Sequence, residues 1–481
     1  MPCRHLDHLR NVGPIAPYDG AVSMPRAAAT EGEDADRARP GPGPVSAPAG
    51  MAATVDPLPG SAAGSLSADP TPYLTWTRVS SLLSSVGQES TTAVLAPFFA
   101  GTLGAAPVVI AVVEAAGRTG GAAARAGGSS VALRRPGIRG VFDLVGYVGA
   151  AVAAAFLSGA GAVWQAGACR AGAWAARGLG TPAELRPVSE AALAHRAGGR
   201  LGRERAVDAL AAAAGPLMAV LLLAFASVRT VLLLAVVPAV AAGVASALGA
   251  RAARARLGAG GPGVGAGGAG AGDLRMPPAR EAVAQLRRSG PLGRLLIGIA
   301  LYEASNIAAA LLLLRAAKVL PTGVGSLSRL QAVALLYVVY QLSAAAFAAW
   351  AGALAERFGA ARVVAVGAVG LLVAYAGFAY AGRNEFGLMV GCFVLAGAAA
   401  GAVDAAEYAG VARLATPENR FLAVGTLIGL QNAGRVLATV TAGGLWTLVG
   451  PPAGLLICGP LLIVTAVFLI GRSTQTERLP A

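Results

Sequence analysis

The chain has 481 residues, of which 56% are hydrophobic and only 13% charged, against about 25% charged in a soluble globular protein. Too few polar residues remain to cover a large soluble enzyme, and the apolar residues come in runs long enough to cross a bilayer, about 20 residues each. The net charge of +14 is spread over alternate inter-helix segments and is not interleaved with aromatics, which argues for membrane topology and against nucleic-acid binding.

Residues 1–72 are rich in Ala, Pro and Gly, with GPGPVSAPAG at their centre, and are expected to be disordered. They lack the apolar core of a secretory signal, and Met24 and Met51 leave open a later start. A first six-helix bundle is expected over 73–250, with helices near 78–99, 103–121, 141–160, 162–178, 206–227 and 230–250. A cytoplasmic Gly/Arg-rich linker over 251–290 follows, centred on GAGGPGVGAGGAGAG. A second bundle over 291–472 has helices near 292–314, 327–353, 361–381, 386–408, 421–447 and 451–471, and 473–481 form a cytoplasmic tail. The expected fold is an all-α membrane protein of about twelve helices in two pseudo-symmetric six-helix bundles.

Arginine placement orients it. Segments after helices two, four, six, eight and ten carry Arg134, Arg135 and Arg139; Arg196, Arg200 and Arg203; Arg251, Arg254, Arg256, Arg287 and Arg288; Arg357 and Arg362; Arg413 and Arg420. The opposite segments are nearly uncharged apart from Arg229, Arg315, Lys318, Arg329 and Arg383. Positive-inside bias therefore puts both termini in the cytoplasm. Weak self-similarity links the halves: Glu89-Ser-Thr-Thr with Glu303-Ala-Ser-Asn, and Gly202 to Asp208 with Gly425 to Gln431.

A charge inside an apolar helix costs about 2.5–3.5 kcal/mol on insertion scales, so such residues line a cavity, pair, or carry protons. Glu89 and Glu303 fall near the middle of helices one and seven, where a carboxylate can take a proton from one side and release it to the other. The alternative is a neutral, hydrogen-bonded helix contact. Arg170 lies inside helix four, either as a functional cation or in an ion pair. Glu114 is a further intramembrane acid. Asp404 and Glu407 share a helix face and could hold a proton or cation, although capping of the loop bearing Arg413 and Arg420 is the favoured reading. Arg177 and Asp208 suit a structural pair at the cytoplasmic ends of helices four and five. Tyr302, Asn306, Tyr340, Gln341, Gln431, Asn432 and Arg435 supply polar contacts for a solute.

No catalytic constellation is visible. His5, His8 and His195 lie outside the apolar runs, there is no Walker sequence, and Cys3, Cys169, Cys392 and Cys458 form no CxxC pair. Neither an enzyme, nor a cofactor, nor a metal site is expected.

The stretch Gly352-Ala-Leu-Ala-Glu356-Arg357-Phe-Gly359-Ala-Ala-Arg362 resembles the loop signature of the major facilitator superfamily. One bacterial branch is resembled more closely by Glu89 upstream of Ala96-Pro97, Val113-Glu114, Gly146-Tyr147, Arg177-Gly178-Leu-Gly-Thr-Pro182, Arg205-Ala-Val-Asp208 and Gly215-Pro216. The resemblance implies a cytoplasmic latch in which Glu356 pairs with Arg, a gating bend at Gly215-Pro216, and a fourth-helix arginine at Arg170 of proton-coupled type. The loop after helix two lacks the Asp-Arg pair of that signature and keeps only its basic character. The expected function is a secondary active transporter of the plasma membrane, coupled to protons, exporting a small organic solute and acting as a monomer. The alternative is a sensor or scaffold derived from a transporter.

Overall fold

Fifteen α-helices, one π-helical turn and a two-stranded hairpin make up the described part of the computed structural model, residues 72–134, 139–179, 197–258, 290–416 and 419–471 with the isolated positions 280 and 284. The segment expected to be disordered, the Gly-rich centre of the linker and the C-terminal tail lie outside the described residues. The first half contains α1 (Pro72–Pro97), α2 (Pro107–Arg134), α3 (Arg139–Gly159), α4 (Val163–Leu179), α5 (Ala197–Leu222), α6 (Val228–Leu234) and α7 (Val236–Gly258). The second contains α8 (Gly290–Glu303), α9 (Ala309–Val319), α10 (Arg329–Phe358), α11 (Ala360–Tyr380), α12 (Phe386–Leu414), α13 (Arg420–Leu448), α14 (Pro451–Leu456) and α15 (Gly459–Ile470). Taking α6–α7, α8–α9 and α14–α15 each as one broken segment gives twelve segments in the expected order.

Two of the breaks follow from proline. Its ring collides with the carbonyl four residues earlier and it donates no hydrogen bond. Pro238 stands four residues after Leu234, where α6 ends, and Pro460 four after Leu456, where α14 ends. The seventh segment breaks without proline. There α8 stops at Glu303 and α9 starts at Ala309, so Glu303 closes a helix and is not in mid-helix as expected. The freed amides find side-chain acceptors: Ile307 N donates to Tyr375 Oη at 2.8 Å and Ala308 N to Thr439 Oγ1 at 3.0 Å. Unwound backbone at membrane depth is tolerated only with such partners.

Several helices outrun their expected ends. α2 continues to Arg134, α5 begins at Ala197, and α7 runs to Gly258 into the supposed linker. Hydropathy registers only the apolar part of a helix, whereas backbone hydrogen bonding continues into the polar flanks.

Seven segments are long and apolar enough to cross a membrane by length and composition: those containing α3, α5, α6–α7, α10, α11, α12 and α14–α15. The other five are shorter, broken or more polar, and they carry Glu89 (α1), Glu114 (α2), Arg170 (α4), Glu303 (α8–α9) and Arg435 (α13). Both members of each buried ion pair thus lie on these more polar segments, while the buried Glu407 lies on the apolar α12. Large apolar side chains point outward instead: Phe156, Trp164, Trp350 and Tyr380 are each more than two-thirds exposed, as suits a lipid-facing surface.

Helices approach closely where side chains vanish, as membrane bundles require. An added Cβ at Gly215 of α5 would lie 2.5 Å from Val86 O and 3.0 Å from the Glu89 carbonyl carbon of α1. An added Cβ at Gly434 of α13 would lie 2.6 Å from the Glu303 carbonyl carbon of α8. Each half therefore crosses its fifth segment beneath the carboxylate-bearing residue of its first. This pairs Gly215 with Gly434, about one helical turn away from the alignment of Gly202 with Gly425 expected from sequence.

The arginines that broke the charge pattern are occupied locally. Arg229 Nη1 donates to Ser158 O at the end of α3 at 2.9 Å. Arg315 caps the end of α11 through Phe378 O, Ala379 O and Ala381 O. Arg329 Nε donates to Pro321 O at 3.0 Å, and Lys318 lies over the Trp446 ring. Guanidinium groups at helix C-termini satisfy orphan carbonyls and complement the macrodipole.

Candidate functional site

Among the described residues, four charged groups inside the helices form two pairs, one in each half, and Glu89 bridges the halves. In the first half Arg170 Nε donates to Glu114 Oε1 at 3.0 Å, with both side chains 4% exposed. Arg170 Nη2 also donates to Thr92 Oγ1 of α1 at 3.0 Å. In the second half Arg435 reaches Glu303 in a two-point contact, Nε to Oε2 at 2.6 Å and Nη2 to Oε1 at 2.7 Å. Asn306, in the unwound stretch, donates to the same Glu303 Oε2 at 3.1 Å. The fork matches planar guanidinium to planar carboxylate and fixes orientation as well as charge.

Glu89 belongs to neither pair. Its Oε2 accepts a hydrogen bond at 2.6 Å from the Tyr337 hydroxyl of α10, across the boundary between the halves. Gln341 Nε2 in turn donates to Tyr337 Oη at 3.2 Å, and the Tyr337 ring stacks on Tyr340.

Asp404 and Glu407 diverge, contrary to the expectation that they cap the loop bearing Arg413 and Arg420. Asp404 Oδ2 lies 3.5 Å from Arg205 Nε of α5, a second link between the halves, and the Arg205 guanidinium sits 4.1 Å from the Tyr408 ring centre. Glu407 is fully buried and accepts from Gln431 Nε2 of α13 at 2.7 Å. Residues three apart share a face only broadly, and the contact between α5 and α12 separates these two. Asn432 donates back to Ile428 O of its own helix at 2.9 Å.

The expected latch exists but works differently. Glu356 Oε1 accepts from the backbone amides of Gly198 at 2.5 Å and Gly199 at 3.4 Å, in the first turn of α5. The acid thus caps a helix N-terminus of the other half, where orphan amides and the macrodipole favour a carboxylate, in place of the expected Arg partner. Arg357 is exposed against the Phe358 ring, while Arg413 Nη1 donates to Glu356 O at 3.0 Å. Gly352 lets the helices close: an added Cβ would lie 2.9 Å from the Gly198 carbonyl carbon and 3.0 Å from Gly202 Cα. Gly359, at φ +88°, turns the chain from α10 into α11, and Arg362 Nη1 donates to Phe358 O across that turn at 3.2 Å.

Arg177 joins α4 to α1, donating to Gln88 Oε1, to Ser85 Oγ at 3.2 Å and to Ser84 O at 3.4 Å. Asp208, exposed, stands 3.9 Å from Arg205. Pro216 is buried within α5, beside the crossing at Gly215, whose carbonyl accepts from Ser90 Oγ at 2.9 Å. The halves also meet where Val108 N at the start of α2 donates to Thr447 Oγ1 of α13 at 2.9 Å.

Sequence reasoning misses Tyr337, Trp174 and Arg118. Tyr337 was legible as the residue one turn before Gln341 in an apolar helix. Arg118 was legible as a basic residue one turn after Glu114 in an apparently spanning helix.

The sequence model of the Major Facilitator Superfamily matches residues 307–481. No curated protein matches the chain in sequence. Among solved structures, a point mutant of the nucleoside transporter NupG is similar at TM-score 0.63 and 14% identity, covering 83% of this chain and 99% of that one. Another structure of NupG gives 0.62 and 16%, covering 83% and 98%. The human organic anion transporter MFSD10 gives 0.55 and 15%, covering 83% and 99%. The chain is thus similar in fold to these transporters over 83% of its length, and its second half, from residue 307, matches the sequence model of the superfamily.

Proposed function

We propose that the chain is a secondary active transporter that moves a small organic solute by alternating access, coupled to protons and directed outward across the plasma membrane, with both termini cytoplasmic. The observation that carries this reading is the 2.6 Å hydrogen bond from Tyr337 to Glu89. It joins a membrane-embedded carboxylate of one half to a hydroxyl of the other, so rocking of one half against the other breaks it and frees the carboxylate to exchange its proton. Such an element has two arrangements, and proton and solute can both bias the choice between them.

Glu303 fits a different part. Its bond to Arg435 lies wholly within the second half and next to the unwound turn, so it stabilises the site and releases charge only if Arg435 turns away. The local use of Arg229, Arg315 and Arg329 as caps supports the orientation drawn from the remaining basic residues. The neighbours' printed names, nucleoside and organic anion transporter, favour an organic solute over an inorganic ion.

The test is flux in proteoliposomes with an imposed pH gradient, using radiolabelled nucleosides and organic acids as probes. Glu89→Gln should abolish acceleration of flux by the gradient while leaving solute exchange without a gradient. Tyr337→Phe should weaken coupling by a smaller factor. Gradient-driven flux unchanged in both Glu89→Gln and Glu303→Gln rejects the proton role. Accumulation only toward the cytoplasmic face rejects export.

A further inference from the structure

Two hydrogen-bond donors meet where α2 packs on α4, and among the described residues neither has an acceptor. The Nε–H of Arg118 and the Nε1–H of Trp174 are buried and unpartnered, and the Arg118 guanidinium carbon lies 5.3 Å from the centre of the Trp174 ring. Neither group can accept: guanidinium and indole only donate. A buried donor left unpaired is costly, the more so when it is charged. Two of them on one contact point to something absent that accepts.

The nearby acids are committed elsewhere. Glu114, one turn before Arg118 on the same helix, gives Oε1 to Arg170. Glu303 gives both oxygens to Arg435, and Glu89 accepts from Tyr337. Charges of both signs surround the spot, with Glu114 and Glu303 among those within electrostatic reach of Arg118. The Arg170 guanidinium carbon is 5.6 Å from the same Trp174 ring, and Arg435 of the other half lies within electrostatic reach of Arg118. Gly117 and Gly121 make room for the indole, since an added Cβ at Gly117 would lie 2.8 Å from Trp174 Cδ1. Arg118 stands eleven residues into α2, about 16 Å along it. What is missing is an acceptor for each N–H. An anionic group with two acceptor oxygens satisfies both.

We propose that Arg118 and Trp174 form the anchoring subsite for the carboxylate of a transported organic acid. The proposal rests on the transport reading for its cargo, and names the class of that cargo. The guanidinium supplies charge and a directed N–H, the indole supplies a second N–H and a flat wall, and Arg170 stays fixed to Glu114 as a neighbouring positive charge. The carboxylate binds by charge-assisted hydrogen bonds, which are short and directional. A neutral amide of the same shape gains the contacts but not the charge.

The test uses the full-length protein purified in detergent, with acetate, benzoate and citrate as probes and acetamide and benzamide as neutral controls. Binding is read from the thermal unfolding midpoint and from tryptophan fluorescence. At least one carboxylate should raise the midpoint and change the fluorescence while its amide does neither. Trp174→Phe keeps the ring and loses the N–H, and should weaken that binding roughly tenfold, the effect of one charge-assisted bond. Arg118→Gln should remove the binding, and Arg118→Lys should restore part of it. Binding by none of the three carboxylates, equal binding of acid and amide, or wild-type affinity in both Trp174→Phe and Arg118→Gln overturns the proposal. Should Arg118→Gln fail to fold, Trp174→Phe decides alone. In proteoliposomes, a carboxylate that binds through Arg118 but never crosses leaves the anchor standing and sinks the transport reading. Flux of neutral solutes without carboxylate binding does the reverse.

Discussion

Gly434 lies against the main chain of Glu303, so near that an added Cβ would stand 2.6 Å from the Glu303 carbonyl carbon. The approach of α13 to α8 puts Arg435, the next residue, within reach of that carboxylate. Gly434→Ala must therefore push the helices apart and stretch the ion pair. Overpacking of this kind costs about 1–3 kcal/mol, and Gly215→Ala should behave alike in the first half. The control is Gly429→Ala on the same α13, where an added Cβ meets nothing within 4 Å. Thermal unfolding in detergent checks all three; equal midpoints for Gly434→Ala and Gly429→Ala would refute the crossing.

Removing one member of the Glu303–Arg435 pair leaves a charge behind in a setting where Glu303 is 1% exposed. Arg435→Gln should destabilise by about 3 kcal/mol, the lower end for a broken buried pair because Arg435 is 28% exposed. The double variant Glu303→Gln with Arg435→Gln should recover part of the loss. Unfolding midpoints of the four proteins in a double-mutant cycle measure the coupling, and a coupling near zero would show that the pair does not act as a unit.

The unwound turn between α8 and α9 depends on hydroxyls from other helices. Tyr375→Phe leaves the Ile307 amide unpaired, and Thr439→Val does the same to Ala308. Each should cost about 1–3 kcal/mol. Hydrogen exchange at residues 304–308 should accelerate in both variants, with α8 unchanged; exchange at 304–308 that stays at the wild-type rate would mean that the hydroxyls are incidental.

Glu356 ties the end of α10 to the start of α5. Glu356→Ala should cost about 1 kcal/mol as a lost N-cap, whereas Glu356→Gln, still an acceptor, should cost less. With the tie gone, a cysteine placed at Gly199 should react faster with a membrane-impermeant maleimide. Unchanged labelling in Glu356→Ala would show that the tie does not hold these ends closed.

The twelve segments and their order were legible because hydrophobic runs report directly on the helices that carry them. Two of the three interruptions were legible in principle from Pro238 and Pro460. The break after Glu303 was not, since it contains no proline and the side chains that make it possible, Tyr375 and Thr439, lie far along the chain. The charged pairs were half visible. Glu114, Arg170 and Glu303 stood out as costly residues in apolar runs and Arg435 only as a polar contact, but pairing depends on which faces meet, and Ala-rich helices give little periodicity to read. Glu356 shows the same limit: its motif was recognisable, while its partner is a pair of main-chain amides that leave no side-chain signature.

The spacing of Glu114 and Arg118 on α2 bears on how the protein is made. A helix entering the bilayer with an acid and a base one turn apart carries its own counter-charge, so α2 can be accommodated before α4 has been synthesised. In the folded protein Glu114 Oε1 accepts from Arg170 of α4, and Glu114 still lies within electrostatic reach of Arg118. The Trp174 ring against which the Arg118 guanidinium rests is supplied by α4 as well, so both groups that engage the charges of α2 come from a helix made after it.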